Sequence, residues 1–236
     1  MAHAFRPGKR EAPLDTTDAP GHPKAIPDPA DAGPGLDGRE EPIRLFEAWM
    51  AEAAVSEPSD PNAMCLATAT PEGRPAARIV LLKGLDARGF VFHSHYDGRK
   101  GTELTANPFA ALCFHWKTLG RQVRVEGRVE HEGAAESDAY FATRPRLSRL
   151  GAWASQQSRP LPERAALVRR LEEAQARFPG EAIPRPPHWG GFRLLPDRIE
   201  FWQNMPFRLH DRLVYRRPAP GEAAGPHGWA IQRLYP

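Results

Sequence analysis

The chain has 236 residues, 41% of them hydrophobic, and a formal net charge of +3. This suffices for one large globular domain or two small ones, and the small charge excess argues against a nucleic-acid surface. No apolar run is long enough to span a bilayer, and no apolar signal core follows the basic residues at the N-terminus, so a cytoplasmic, reducing location is expected.

The two cysteines, Cys65 and Cys113, sit in apolar, strand-like runs and form no Cys-x-x-Cys pair, so reduced thiols are expected. Arginine outnumbers lysine 27 to 5, and only Lys83, Lys100 and Lys117 fall outside the N-terminal stretch. Against that bias, a retained lysine hints at a need for a compact ammonium rather than a guanidinium fork.

Residues 1–40 contain seven prolines and almost no large apolar side chains, which reads as a disordered arm. The remainder, 41–236, reads as one domain. Order is expected from Pro42, which suits a first helical turn; Phe46, Trp49, Met50 and Ala53 then recur at helical spacing up to Pro58. Strands are expected at 63–69, 76–83 and 90–95, with turns at 71–73 and 86–89. A short helix over 99–106 stops at Asn107-Pro108. Strands at 110–116 and 122–131 follow, then helices at 133–143 and 161–178. The last third returns to strands at 190–195, 198–203, 209–215 and 228–234, with a polar hairpin loop over 218–227. Many short strands interrupted by helices point to a mainly β, α+β chain built on an antiparallel barrel. No G-x-G-x-x-G follows a strand and no Walker-type loop is present, so any phosphate must be held by side chains.

Four segments carry candidate chemistry. Arg78-Ile79-Val80-Leu81-Leu82-Lys83 has a cation at each end; on a regular strand the two point to opposite faces, serving two anions or simply ending a strand in solvent. Ser94, Arg99 and Lys100 flank a helix start, where cations are unfavourable unless an anion neutralises them. His93 and His95 share a strand face, but two histidines without a third ligand make metal the weaker reading. Tyr140 and Arg144 lie four apart with Ser148 beyond, either a phosphate cradle or an arginine-capped helix end. Arg208, His210 and Arg212 alternate on one expected strand face, with Trp202 as a nearby flat wall; a solvated edge strand fits the same pattern.

Together these segments resemble the pyridoxine/pyridoxamine 5'-phosphate oxidase family, from about Pro42 to the last residue. The resemblance extends through Gly98-Arg99-Lys100, Arg121-Gln122-Val123, Gln157-Ser158, Trp189-Gly190-Gly191-Phe192-Arg193, Ile199-Glu200-Phe201-Trp202-Gln203 and Arg208-Leu209-His210-Asp211-Arg212. It implies an antiparallel Greek-key split barrel of the FMN-binding type, forming a homodimer with active sites at the subunit interface. By the same resemblance FMN is held by Arg78, Ile79, Val80, Leu81, Leu82, Lys83, His93, Ser94, Arg99, Lys100, Gln122, Gln157, Ser158, Trp202 and Arg212. The substrate phosphate meets Lys83, Tyr140, Arg144 and Ser148, while Arg208 and His210 act on the substrate ring. The implied activity is oxidation of phosphorylated B6 vitamers to pyridoxal 5'-phosphate with O2, releasing H2O2. Alternatives are a related FMN oxidase acting on a phenazine precursor and a non-catalytic flavin- or pyridoxal-phosphate-binding protein. No nucleic acid, membrane or metal is expected as a partner.

Overall fold

A computed structural model describes residues 35–236. Most of the arm read over 1–40 lies outside those residues, but its last part is described and is bonded. The Leu36 amide donates to the Asp211 carboxylate at 2.6 Å, Arg233 donates to the Leu36 carbonyl, and the Leu36 side chain packs on the core. Order is therefore present six residues before Pro42.

Helix α1 spans Pro42–Ser56. Pro42 stands in its first turn, and the Glu41 carboxylate accepts the Arg44 amide at 2.9 Å, satisfying one of the unpaired N–H groups of a helix start. Ile43, Phe46, Trp49 and Ala53 form its buried stripe. The helix stops at Glu57, which is extended, as residues preceding a proline tend to be.

The strands are β1 (Ala63–Ala69), β2 (Pro75–Leu81), β3 (Gly84–Asp86), β4 (Gly89–His95), β5 (Phe109–Trp116), β6 (Arg121–His131), β7 (Trp189–Gln203), β8 (Asp211–Arg216) and β9 (Ala230–Arg233). All pair antiparallel in one sheet of order β2-β1-β5-β6-β7-β4-β3, with β8 on β7 and β9 on β8. The helices α2 (Arg99–Ala106), α3 (Ala134–Thr143), α4 (Arg146–Ala154) and α5 (Arg164–Arg177) complete a mainly β fold with flanking helices.

The structure differs from the sequence reading in four places. The two strands expected at 190–195 and 198–203 are one, β7. Its first half pairs with β4 and its second half with β8, and Pro196 lies at the changeover, opposite a bulge at Glu126/Gly127 of β6. A proline has no N–H to lose there, so it marks a change of partner rather than a strand end. A short strand, β3, occupies part of what read as loop, and α4 was not expected at all. Finally, β8 starts at Asp211 rather than 209, because Phe207 and Arg208 both adopt positive φ (57° and 59°) in a 3-10 turn over Pro206–Arg208.

The core lies between α1 and the inner sheet face. Phe46 is fully buried, with ring centroids 5.0 Å from Phe90, 4.9 Å from Phe114 and 5.8 Å from Trp116. A second cluster of Phe141, Leu150, Ala152, Ala154, Ala174, Ile183 and Trp189 fastens α3, α4 and α5 to the start of β7. α5 itself is mostly solvent-facing: of its expected stripe Ala174 is buried, while Leu167 and Val168 are exposed.

Phe46 touches three aromatic rings on two strands, so its truncation leaves a cavity that no single neighbour can fill. Phe46→Ala is expected to cost about 3–5 kcal/mol of stability, read as a fall in the urea midpoint at unchanged slope.

Candidate active site

A cavity of about 560 Å³ opens between β2, β4, α3 and α4. Its wall includes Arg78, Ile79, Val80, Leu81 and Lys83 from β2 and the residues just after it, and His93, Ser94 and His95 from β4. Lys100, Tyr140, Arg144, Ser148, Gln157 and Trp189 complete it. Arg78 and Lys83 therefore share one cavity rather than pointing to opposite faces. The reason is that β2 ends at Leu81: the chain bends there, and the Lys83 amide pairs with the Val91 carbonyl. Leu82 departs from the expected contact run. Its side chain is buried in the core, and both its backbone groups are bonded to Asn62.

Helix α3 and the residue that ends it supply a second wall. Arg144 is the C-cap residue of α3, but its side chain does not cap the helix. The guanidinium lies 4.6 Å from the Trp189 ring centre, and its Nη1 is buried without a hydrogen-bond partner. The rings of Tyr140, His93 and Trp189 lie near parallel, with His93 3.9 Å from Tyr140 and 5.3 Å from Trp189. Burial pushes the Tyr140 hydroxyl pKa up, against the opposing pull of Arg144, so it remains a proton donor. Ser148 enters from α4, whose Gly151 also faces the cavity and has nothing within 4 Å of where a Cβ would stand.

His93 and His95 are held neutral at pH 7. Burial, with the charges of Arg144 and Lys83, lowers the His93 pKa to about 4. Burial and His188, opposed by Asp97, bring His95 to about 4 as well. Burial lowers Arg144 and Lys100 from their ordinary values too. Lys100 donates to Gln157 Oε1 at 2.6 Å and Ser94 Oγ at 2.9 Å, both neutral. Among the described residues neither Lys83, Lys100 nor Arg144 has a carboxylate partner. No group of three His, Cys, Asp or Glu side chains there could hold a metal ion.

A second hollow, about 530 Å³, shares Arg78, Lys100 and Gln157 with the first and adds Arg99 and Ser158. Gly98, which precedes α2, packs closely on Gln157: a Cβ there would stand 2.8 Å from its Oε1 and displace that side chain. The first turn of α2 carries Arg99 and Lys100 and no acid. The two hollows thus adjoin along Arg78, Lys100 and Gln157, and together they make a basin with cations at both ends.

Gln122, Trp202, Arg208, His210 and Arg212 line neither hollow. Gln122 faces Trp202 across β6–β7, and Trp202 faces Arg212 across β7–β8. The His210 ring is 4.6 Å from Trp202. Arg208, His210 and Arg212 do not share a strand face, since only Arg212 is in β8. Arg208 is exposed in the preceding turn, and His210 is half-buried with Nδ1 facing the Met205 amide at 3.3 Å. This second cluster sits at the far end of β7 from the cavity residue Trp189, about 40 Å of strand contour away at 3.3 Å per residue.

The sequence reading assigned no site role to Trp189, His95, Gly151 or Ser155, all of which line the cavity. Only the position of Trp189, at the head of a Gly-rich strand start, could have drawn attention to it.

The sequence pattern of the family described as pyridoxamine 5'-phosphate oxidase matches residues 50–178, and that of the pyridoxine 5'-phosphate oxidase C-terminal dimerisation region matches residues 189–236. A pyridoxine/pyridoxamine 5'-phosphate oxidase of Azorhizobium caulinodans is 59% identical over 84% of this chain and 91% of its own length. One of Gluconobacter oxydans is 55% identical over 86% and 98%. Among solved structures, PhzG from Burkholderia lata 383, in complex with tetrahydrophenazine-1-carboxylic acid, superposes with a TM-score of 0.75 at 34% identity, covering 90% of this chain and 98% of that one. A pyridoxamine 5'-phosphate oxidase-related, FMN binding protein from Nostoc punctiforme has the same fold, with a TM-score of 0.64 at 18% identity over 84% and 99%. Both matched regions and the identity to relatives covered over most of their length agree: the chain belongs to the pyridoxamine 5'-phosphate oxidase family.

Proposed function

We propose that this chain oxidises pyridoxamine 5'-phosphate or pyridoxine 5'-phosphate to pyridoxal 5'-phosphate, with FMN as cofactor, O2 as electron acceptor and H2O2 as product. One observation carries the reading: the basin has cations at both ends, and Lys83, Lys100 and Arg144 have no carboxylate partner there. Lys100 and Arg144 are half-buried, where an unpaired cation is costly, and phosphate monoesters would neutralise them together with the more exposed Lys83. The buried Arg144 Nη1 without a partner fits an anion lodged beside it.

In this reading Arg78, Ser94, Arg99, Lys100, Gln157 and Ser158 grip the FMN phosphate. Ile79, Val80 and Leu81 run along the flavin beside neutral His93. Lys83, Tyr140, Arg144 and Ser148 hold the substrate phosphate. FMN, when bound, takes up the two electrons and delivers them to O2. The protein's part is to fix donor against acceptor and keep the basin's charge matched. Pyridoxine phosphate would leave as the aldehyde directly; pyridoxamine phosphate would yield aldehyde and ammonia after addition of water. Favouring a phosphorylated substrate over a phenazine is the pairing of Lys83 with Tyr140, Arg144 and Ser148 in one wall.

The chain carries the family's C-terminal dimerisation region, and we place each active site between two copies. The cluster around Trp202 cannot reach the basin of its own chain along β7. In a dimer related by a two-fold axis, the same cluster of a second copy can complete it. Gln122, Trp202 and Arg212 then close over the flavin, and Arg208 and His210 face the substrate ring. Burial, with the neighbouring Arg208 charge, lowers the His210 pKa, so the ring is neutral at pH 7. Its Nδ1 accepts the Met205 amide, which leaves the proton on Nε2 as a donor toward the ring. No helix among the described residues is long and apolar enough to cross a membrane, and Cys65 and Cys113 are unpaired, which suits the cytoplasmic location proposed here.

Arg208→Met is expected to lower peroxide release with pyridoxine phosphate about a hundredfold while the purified protein stays yellow at near wild-type flavin content; unchanged turnover would remove Arg208 from the site. A shared site also makes a stoichiometric prediction. Arg144→Ala and Arg208→Met, each nearly inactive alone, should recover activity on co-expression. Each mixed dimer then keeps one intact site, giving about a quarter of wild-type activity for random pairing. Activity no greater than the sum of the two variants would place the whole site within one chain.

A further inference from the structure

Glu103 lies on α2 with 6% of its surface exposed, a rare position for a carboxylate without partners. It has three. Oε2 accepts from Thr68 Oγ1 at 2.5 Å and from Arg78 Nη2 at 3.1 Å, and Oε1 accepts from Arg99 Nε at 2.9 Å. Thr68 Oγ1 in turn accepts from Arg78 Nη1 at 2.5 Å. One buried carboxylate on α2 thus joins β1 and β2 to the first turn of its own helix. The two arginines it holds are cations of the second hollow.

We propose that Glu103 is the positioning residue of that hollow, orienting Arg78 and Arg99 and setting the charge of the site so that it accepts a phosphate monoester dianion. The inference rests on the reading of the hollow as the seat of the FMN phosphate. Arg78 is gripped on both terminal nitrogens, which fixes its guanidinium plane. Arg99 is held through Nε alone, and its side chain is otherwise largely exposed. Its two terminal NH2 groups are left for a ligand, in the planar fork that suits phosphate oxygens. Charge follows the same logic. Arg78, Arg99 and Lys100 would repel one another in a shared hollow. With Glu103 among them the set keeps two positive charges, which balance one phosphate dianion. Burial alone would raise the Glu103 pKa; the hydrogen bonds from Thr68, Arg99 and Arg78 outweigh it and hold the carboxyl below its usual range, so it is charged at pH 7.

A carboxylate that merely tied α2 to the sheet would affect every ligand alike. One that organises phosphate contacts affects only ligands with a phosphate. The test is therefore flavin affinity rather than activity: full-length protein stripped of flavin is titrated with FMN and with riboflavin, which lacks the phosphate, by flavin fluorescence. Wild type is expected to prefer FMN strongly. In Glu103→Ala, FMN affinity should fall about tenfold or more while riboflavin affinity moves less than about twofold, so that the preference shrinks. Glu103→Gln preserves the shape and loses the charge. It should shrink the preference about threefold, and it decides the matter if the alanine variant does not fold. A preference unchanged in a folded variant, or equal losses for both flavins, would overturn the role of Glu103. A wild-type protein with no preference for FMN would instead overturn the reading of the hollow as a phosphate seat.

Discussion

Positive charge held in a half-buried place is the constraint from which this site follows. Each cation drawn out of water costs free energy unless an anion or a hydrogen-bonded network replaces the water. Within one basin the chain gathers the half-buried Arg78, Lys100 and Arg144 with the more exposed Lys83 and Arg99, and among the described residues it supplies one buried carboxylate, Glu103, to answer them. Lys100 shows the tension most directly: its bonds go to a serine hydroxyl and an amide oxygen, and burial lowers its pKa. The basin is poorly neutralised by the carboxylates among the described residues, a shortfall that suits anionic ligands.

Strand β7 distributes the rest. It is the longest strand, and its outer edge is shared between β4 and β8. Its first residue, Trp189, is bonded into the cavity wall; near its other end, Trp202 carries Arg212 beside it and His210 against its ring. The split of pairing partners thus separates two clusters along one strand, with the cationic basin at one end and the Trp202 cluster at the other. On the proposed reading one chain alone holds two halves of a site, and dimerisation would be part of building it.

Local signals made much of this legible beforehand. Pro42 and the spacing of Phe46, Trp49 and Ala53 located α1, and alternation located β1, β4, β5 and β6 within a residue or so. Legibility ended where a local signal had more than one tertiary meaning. Pro196 reads as a break, yet it marks a change of partner in a continuous strand. The alternation of Arg208, His210 and Arg212 reads as a strand face, but two consecutive left-handed residues turn the chain first. Helix α4 is only nine residues long and contains Gly151, so Leu147, Leu150 and Ala154, though at helical spacing, are too few to stand out. For the site, chemistry-bearing cations stood out in sequence, whereas Glu103 did not, because a carboxylate four residues after an arginine also describes an ordinary solvated helix face.

The histidines explain how so many cations fit in one wall. At positions 93 and 95 a charged side chain would add to Lys83, Lys100 and Arg144, and a purely apolar one would give up hydrogen bonding to a ligand. A neutral imidazole avoids both costs. Burial and the surrounding cations drive both pKa values to about 4, so the rings remain uncharged across the physiological range. Their flat faces then serve packing: His93 against Tyr140 and Trp189, and His95 against His188. Each keeps a buried Nδ1 with no hydrogen-bond partner among the described residues. Burial does most of this and the surrounding cations add to it, so weakening the positive field of the basin would raise both pKa values without removing the burial that depresses them.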